Sequence, residues 1–148
     1  MKAIVVYYSR TGNTRKIASV IAEELEAELL RVEEAGDVRA FDLICVGTPV
    51  YMGGPAGPIK RYLYKLPELR GKYVACFCTR AITGGRGTVR SMKNALEVKG
   101  AEFIGGFISR ASSGILFGFG PKLWARSRPN EKDLQRARKF AEGLRGRF

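Results

Sequence analysis

Residues Ser9-Arg10-Thr11-Gly12-Asn13-Thr14 set three hydroxyls and a glycine between an apolar run and an amphipathic one. At a helix N-terminus such a composition suits a phosphate monoester. Unpaired N–H groups and the helix dipole attract the anion, the hydroxyls add hydrogen bonds, and Gly12 lets the backbone come close. The plainer reading is that the hydroxyls only cap the helix. Neither G-x-x-x-x-G-K-[ST] nor G-x-G-x-x-G is present, so the loop is neither a P-loop nor a dinucleotide fingerprint. Two further loops are rich in turn residues: Thr48-Pro49-Val50-Tyr51-Met52-Gly53-Gly54-Pro55, and Thr79-Arg80-Ala81-Ile82-Thr83-Gly84-Gly85-Arg86-Gly87.

The 148 residues contain no histidine. That removes the commonest metal ligand, the usual proton shuttle and every Ser-His or Cys-His pair, and with them most hydrolase mechanisms. No catalytic residue and no metal ligand set is assigned. Cys45, Cys76 and Cys78 lie in apolar runs without C-x-x-C spacing, which predicts reduced, buried thiols in a cytoplasmic protein. Cys78 ends a strand near the third loop and reads as an apolar filler. No apolar run approaches the ~18–20 residues of a transmembrane helix, and the chain enters a strand at once with no signal peptide expected.

Charge is uneven. Residues 1–74 hold 11 basic and 9 acidic side chains; residues 75–148 hold 15 and 5, so +10 of the net +12 lies in the second half. This bias reads either as a solubilising surface or as a site for an anionic partner.

The elements that must position these loops follow from periodicity. Residues 3–8 are near-continuously apolar and β-branched, as a strand covered on both faces should be. Ile17, Val20, Ile21 and Leu25 form one stripe of a first helix. Strands are predicted over 27–32, 41–47, 73–78 and 103–108, the last broken at Gly105-Gly106, with 48–58 a loop. Helices follow from Ile59, Tyr62, Leu63 and Leu66, and over 88–99 from Val89, Met92 and Leu96. A last helix opens with Asn130 as N-cap, Glu131 and Asp133 complementing the dipole, and Leu134, Ala137, Ala141 and Leu144 as its buried stripe. Alternating strands and helices predict one α/β domain over 1–148, a three-layer sandwich on a five-stranded parallel sheet. In such sheets ligands sit beyond the carboxyl ends of the strands, where the three unusual loops fall.

The [ST]-x-T-G-x-T pattern after the first strand resembles the FMN-phosphate loop of the flavodoxin family, with Ser9, Thr11, Gly12, Asn13 and Thr14 matching it. The G-[ST]-P-x-Y form of Gly47–Tyr51 is similar to the family's first ring loop, and 79–87 corresponds to the second. Low-molecular-weight tyrosine phosphatases would need a cysteine in the first loop, and response regulators an aspartate where Gly47-Thr48 stands. The resemblance implies strand order 2-1-3-4-5 and one non-covalently bound FMN. It implies cofactor contacts from Ser9, Arg10, Thr11, Gly12, Asn13 and Thr14; from Thr48, Pro49, Val50, Tyr51, Met52 and Gly53; and from Thr79, Arg80, Ala81, Gly84 and Gly85. Tyr51 would stack on the ring, and Gly53-Gly54 would present a carbonyl to it. The third loop departs from typical flavodoxins in having no aromatic. Arg80 and Arg86 then read either as favouring an anionic reduced flavin or substrate, or as pointing to solvent.

The implied function is an electron carrier that cycles FMN between redox states. The alternative is a small FMN-dependent NAD(P)H:quinone-type oxidoreductase, or one like the menaquinone-dependent protoporphyrinogen oxidases. Because flavodoxins are typically acidic, this basic chain implies an acidic redox partner protein or a small quinone-type acceptor; nucleic acid is disfavoured, having no recognised motif. The connection over 109–129 is too long for a simple turn. It carries Ile115, Leu116, Phe117, Phe119 and Trp124 among Arg110, Lys122, Arg126 and Arg128. Covering the flavin, forming a homo-oligomer or partner interface, and touching an anionic membrane surface are its three readings, the first two preferred.

Overall fold

The computed structural model describes residues 1–111 and 128–148. The apolar runs become strands β1 (Ala3–Tyr7), β2 (Glu28–Arg31), β3 (Leu43–Tyr51), β5 (Tyr73–Arg80) and β6 (Glu102–Arg110), all parallel in the order β2-β1-β3-β5-β6. A two-residue strand β4 (Gly54–Pro55) pairs antiparallel with the end of β3. Counting only the parallel strands, this is the expected 2-1-3-4-5 arrangement.

Four helices complete three layers: α1 (Asn13–Leu25), α2 (Gly57–Lys65), α3 (Gly85–Val98) and α4 (Glu131–Arg145). Alternate residues of each central strand feed opposite cores, because successive side chains leave a strand on opposite faces. Val5, Cys45 and Phe77 pack with Ile17 and Ile21 of α1 and Ala137 and Ala141 of α4. Val6, Val46 and Cys76 pack with Ile59 and Leu63 of α2 and Met92 and Leu96 of α3. All three cysteines are free and buried, and burial pushes the Cys45 and Cys78 thiols up to about 12, so they stay protonated.

Several boundaries differ from the periodicity. β3 runs on to Tyr51 instead of ending at 47, since Thr48 and Pro49 stay in register with Cys78 and Thr79 of β5. Most of the expected 48–58 loop is therefore a hairpin, β3 and β4 joined by Met52-Gly53. β6 is not broken at Gly105-Gly106. Its irregularity is a register shift opposite Val74/Ala75, and Gly105 leaves room for Phe140 and Leu144 of α4 to lie on the sheet. Of the expected 109–129 connection, Ser109 and Arg110 end β6. The apolar cluster and the basic residues between 112 and 127 lie outside the described residues.

The start of α4 is built as expected and goes further. Asn130 Oδ1 accepts from the Asp133 N–H at 3.1 Å, and Asp133 Oδ2 accepts from the Asn130 N–H at 2.8 Å, a reciprocal capping box. The Asp133 side chain is 1% exposed and takes two charge-assisted bonds from Arg128, at 2.5 and 2.6 Å. Asp133 is thus an anchor for the chain entering the helix, more than a dipole complement. Among the described residues no helix is long and apolar enough to cross a membrane.

Candidate functional site

At the carboxyl end of β1 the chain turns through Gly12, whose φ of 96° lies in the left-handed region, and enters α1 with no side-chain cap. The hydroxyl of Ser9 gathers the loop instead: its Oγ accepts from the N–H groups of Gly12 at 3.1 Å and Arg15 at 3.3 Å. Thr11 is exposed, and its Oγ1 accepts from Asn13 Nδ2 at 3.3 Å. Thr14 behaves differently. Its Oγ1 lies 2.7 Å from Thr79 Oγ1, both side chains buried, so it ties the first loop to the end of β5.

The second loop is a two-residue hairpin turn with positive φ at both central positions, 52° at Met52 and 77° at Gly53. That geometry matches the right-handed twist of paired strands. For Met52 it costs roughly 1–2 kcal/mol, which hairpin pairing must offset. The turn leaves Met52 wholly exposed and Tyr51 39% exposed beside the first loop. Partial burial raises the Tyr51 phenol pKa and nearby Tyr8 adds to this, while Arg10 opposes both. Thr48 is fully buried; its Oγ1 accepts from the Ala56 N–H at 2.9 Å and donates to the Pro49 carbonyl at 2.8 Å, closing the hairpin's base.

The third loop reaches α3 through Gly84, φ 94°. A Cβ there would stand 2.9 Å from Val50 Cγ1 and 3.1 Å from Gly53 Cα, so the absent side chain is what lets the second and third loops touch. Gly85 packs equally closely on Ile108. Arg80 turns back along its own loop, Nη1 donating to the Ile82 carbonyl at 2.9 Å.

These loops enclose a cavity of ≈ 760 Å³, lined by Ser9, Arg10, Thr11, Asn13 and Thr14, by Pro49, Val50, Tyr51, Met52 and Gly53, and by Thr79 and Ala81. Twelve of the seventeen residues expected at a cofactor thus meet on one wall. The other five do not line it: Gly12 shapes the first turn, Thr48 closes the hairpin, Arg80 braces the third loop, and Gly84 and Gly85 are packing contacts. Ile82, Thr83 and Ala111 complete the wall without having been singled out. Ala111 reaches it because its N–H donates to the Arg80 carbonyl at 2.8 Å, extending the β5–β6 pairing past the end of β6. Nothing in an isolated alanine could have signalled that. Among the described residues no group of acidic or cysteine side chains has the arrangement of a metal site.

A family model described as a flavodoxin domain matches residues 4–106, which run from β1 into β6 and take in all three loops. The chain belongs to the flavodoxin family. It is 29% identical over 150 residues to an uncharacterized protein of Methanocaldococcus jannaschii, covering 97% of this chain and 98% of that one. Among solved structures, a flavodoxin of Streptococcus pneumonia TIGR4 superposes with a TM-score of 0.76 at 21% identity, over 100% of both chains. A flavoprotein from Lactobacillus acidophilus NCFM, solved in complex with FMN, gives a TM-score of 0.62 at 26% identity, covering 72% of this chain and 92% of that one.

Proposed function

We propose that this flavodoxin-family chain binds FMN without covalent attachment and serves as an electron carrier. The observation that carries the reading is the composition of the single wall built by three loops. One part is hydroxyls and first-turn N–H groups of α1, suited to a phosphate. The other part is Pro49, Val50, Tyr51 and Ala81, an apolar surface suited to a flat ring, with Met52 and Ile82 turned out at its exposed lip. The volume, ≈ 760 Å³, falls within the ~300–1,000 Å³ of small-ligand pockets. The family relationship and the FMN-bound relative support the same ligand.

In this reading Ser9, Thr11 and the first-turn N–H groups of α1 hold the phosphate, while Tyr51 covers part of the ring. Ser9 fits the role because its oxygen already organises two loop N–H groups, leaving its own proton for an acceptor in the cavity. Thr14 and Thr79 hold the two sides of the site together. The redox chemistry, one or two electrons at a time, would come from the bound FMN. What the protein contributes is binding, orientation and exclusion of water. Arg10 and Tyr51 are the only ionisable side chains among the described lining residues, in keeping with a carrier that moves no substrate proton.

One observation favours a second reading, an FMN-dependent oxidoreductase. Among the described residues the third-loop side of the cavity is walled by Ala81, Ile82 and Thr83 with no aromatic, an apolar face open to a flat second substrate. Anaerobic reduction of the FMN-loaded protein separates the two. A carrier oxidises NAD(P)H no faster than free FMN, with or without added quinone. Rapid NAD(P)H consumption on adding a quinone would overturn the carrier in favour of the oxidoreductase.

A further inference from the structure

The mouth of the cavity carries two features that its lining does not use. The first is apolar. Met52 is 106% exposed and Ile82 79% exposed, although both belong to the wall. Met52 is held outward by a left-handed backbone unfavourable for its type. Large side chains kept in water at the lip of a site gain their burial only when something covers that lip.

The second feature is cationic. Arg80 and Arg110 are register partners at the carboxyl ends of β5 and β6, an unfavourable pairing of like charges. Arg80 and Arg86 line a hollow of ≈ 530 Å³ that shares Ile82 and Thr83 with the cavity. Arg110 lines another, of ≈ 470 Å³, where Arg128, Lys132 and Arg136 outnumber the single acid Glu131 at the start of α4. No ion pair involves Arg80, Arg86 or Arg110 among the described residues. The nearest acids are Glu131, which shares the Arg110 hollow, and Asp133, which is paired with Arg128 and Arg136; Glu97, Glu102 and Glu142 lie at the far ends of α3, β6 and α4. The N-terminus of α3 adds its own positive dipole end to the mouth.

We propose that the lip formed by Met52 and Ile82, with Arg80, Arg86 and Arg110 beside it, docks a partner protein whose surface presents carboxylates around an apolar patch. An apolar centre within a charged rim is the anatomy of a protein–protein interface. Arginine forks pair bidentately with carboxylates, and opposite charge across a rim steers association. Nucleic-acid surfaces instead interleave aromatics with the basic residues, and Tyr51 is the one aromatic of the described lip. A complex formed here would bring the partner over the cavity. That the partner is a redox protein rests on the electron-carrier reading above; that it is an acidic protein rests on the lip alone.

Calorimetric titration at about 50 mM NaCl with an acidic [2Fe–2S] ferredoxin as probe, and poly-L-glutamate beside it, tests the surface. The flavin-free and FMN-loaded chains are both titrated. The R86E/R110E variant reverses two charges that lie off the cavity wall; K139E/R147E makes the same net change far from the mouth. We expect R86E/R110E to weaken ferredoxin binding at least about 30-fold, K139E/R147E less than about threefold, and about 0.5 M NaCl to weaken the native chain at least tenfold. FMN affinity should change less than twofold in both variants. Should R86E/R110E fail to fold, R86Q/R110Q reads the same contrast at smaller amplitude. The proposal is overturned by equal loss in the two variants, which would mean net charge alone, or by neither probe binding. It is overturned too if a DNA duplex or phosphatidylglycerol vesicles bind through Arg86 and Arg110 more tightly than the ferredoxin. A chain that binds the ferredoxin but takes up no FMN would refute the carrier reading while leaving this surface standing.

Discussion

Thr11 and Thr14 lie three residues apart in one loop and have unlike surroundings, which separates binding from stability at the scale of single side chains. Thr11 is exposed in the cavity, and its hydroxyl serves the proposed phosphate. Thr11→Ala should raise the FMN dissociation constant roughly 10- to 100-fold, the effect of losing a hydrogen bond of about 1.5–3 kcal/mol to a charged group. The melting temperature of the flavin-free protein should scarcely move. Thr14→Ala instead strands the buried Thr79 hydroxyl, and should cost about 1–3 kcal/mol in chemical denaturation before any flavin is added. If both variants lost only FMN affinity, the buried pair would not be structural. The hydroxyls of the first loop were legible from their types. Their division of labour was not, because Thr79 is 65 residues distant in sequence.

At the scale of elements, contacts between loops decide the shape of the site. Gly84 touches the hairpin at Val50 and Gly53, so Gly84→Ala must push the second loop away from the third and also strain a positive φ. Stability should fall by about 1–3 kcal/mol and FMN affinity at least tenfold, measured by urea unfolding and fluorescence titration. An unchanged affinity would mean that this contact does not shape the cavity. Helix α4 supplies a pH dependence. Hydrogen bonds from Arg128, and secondarily from the Asn130 backbone, hold the Asp133 carboxyl below its ordinary range despite burial. Folded-state pKa is then lower than unfolded, so the stabilisation is present above the unfolded value of about 3.9 and lost as pH falls through the folded one. Asp133→Asn should therefore destabilise the protein at neutral pH and flatten the acid limb of its stability curve below about pH 5. An acid limb identical to the native one would contradict the assignment.

Periodicity exposed these elements well, since buried strands and striped helices follow from side-chain direction alone. It failed at 48–58, where proline and glycine read as loop while pairing with β5 and β4 made strand. It failed at the start of α3 as well. That helix begins at Gly85 behind a left-handed glycine, three residues before the expected start at 88, and Thr88 Oγ1 donates back to the Gly84 carbonyl at 2.8 Å.

On the scale of the whole molecule, a parallel sheet sends every strand's carboxyl end and most helix N-termini to one edge. The three loops meet there, and so does the unbalanced charge of β5, β6 and α3. Sequence located that charge in the second half of the chain; only the strand register brought Arg80 beside Arg110 and both to the lip of the cavity. Charge and cavity thus share one edge of the sheet. The proposed FMN needs no histidine from the chain, since helix ends, hydroxyls and an aromatic are enough to hold a ligand that brings its own reactivity. The most direct measurement is titration of the purified, flavin-stripped protein with FMN, followed by flavin fluorescence and by melting temperature. The account predicts one FMN per chain, a fluorescence change saturating at that ratio, and a melting temperature that rises with free FMN as binding to the folded state requires. A protein whose melting temperature ignores FMN, and which leaves the flavin fluorescence unaltered, would contradict it.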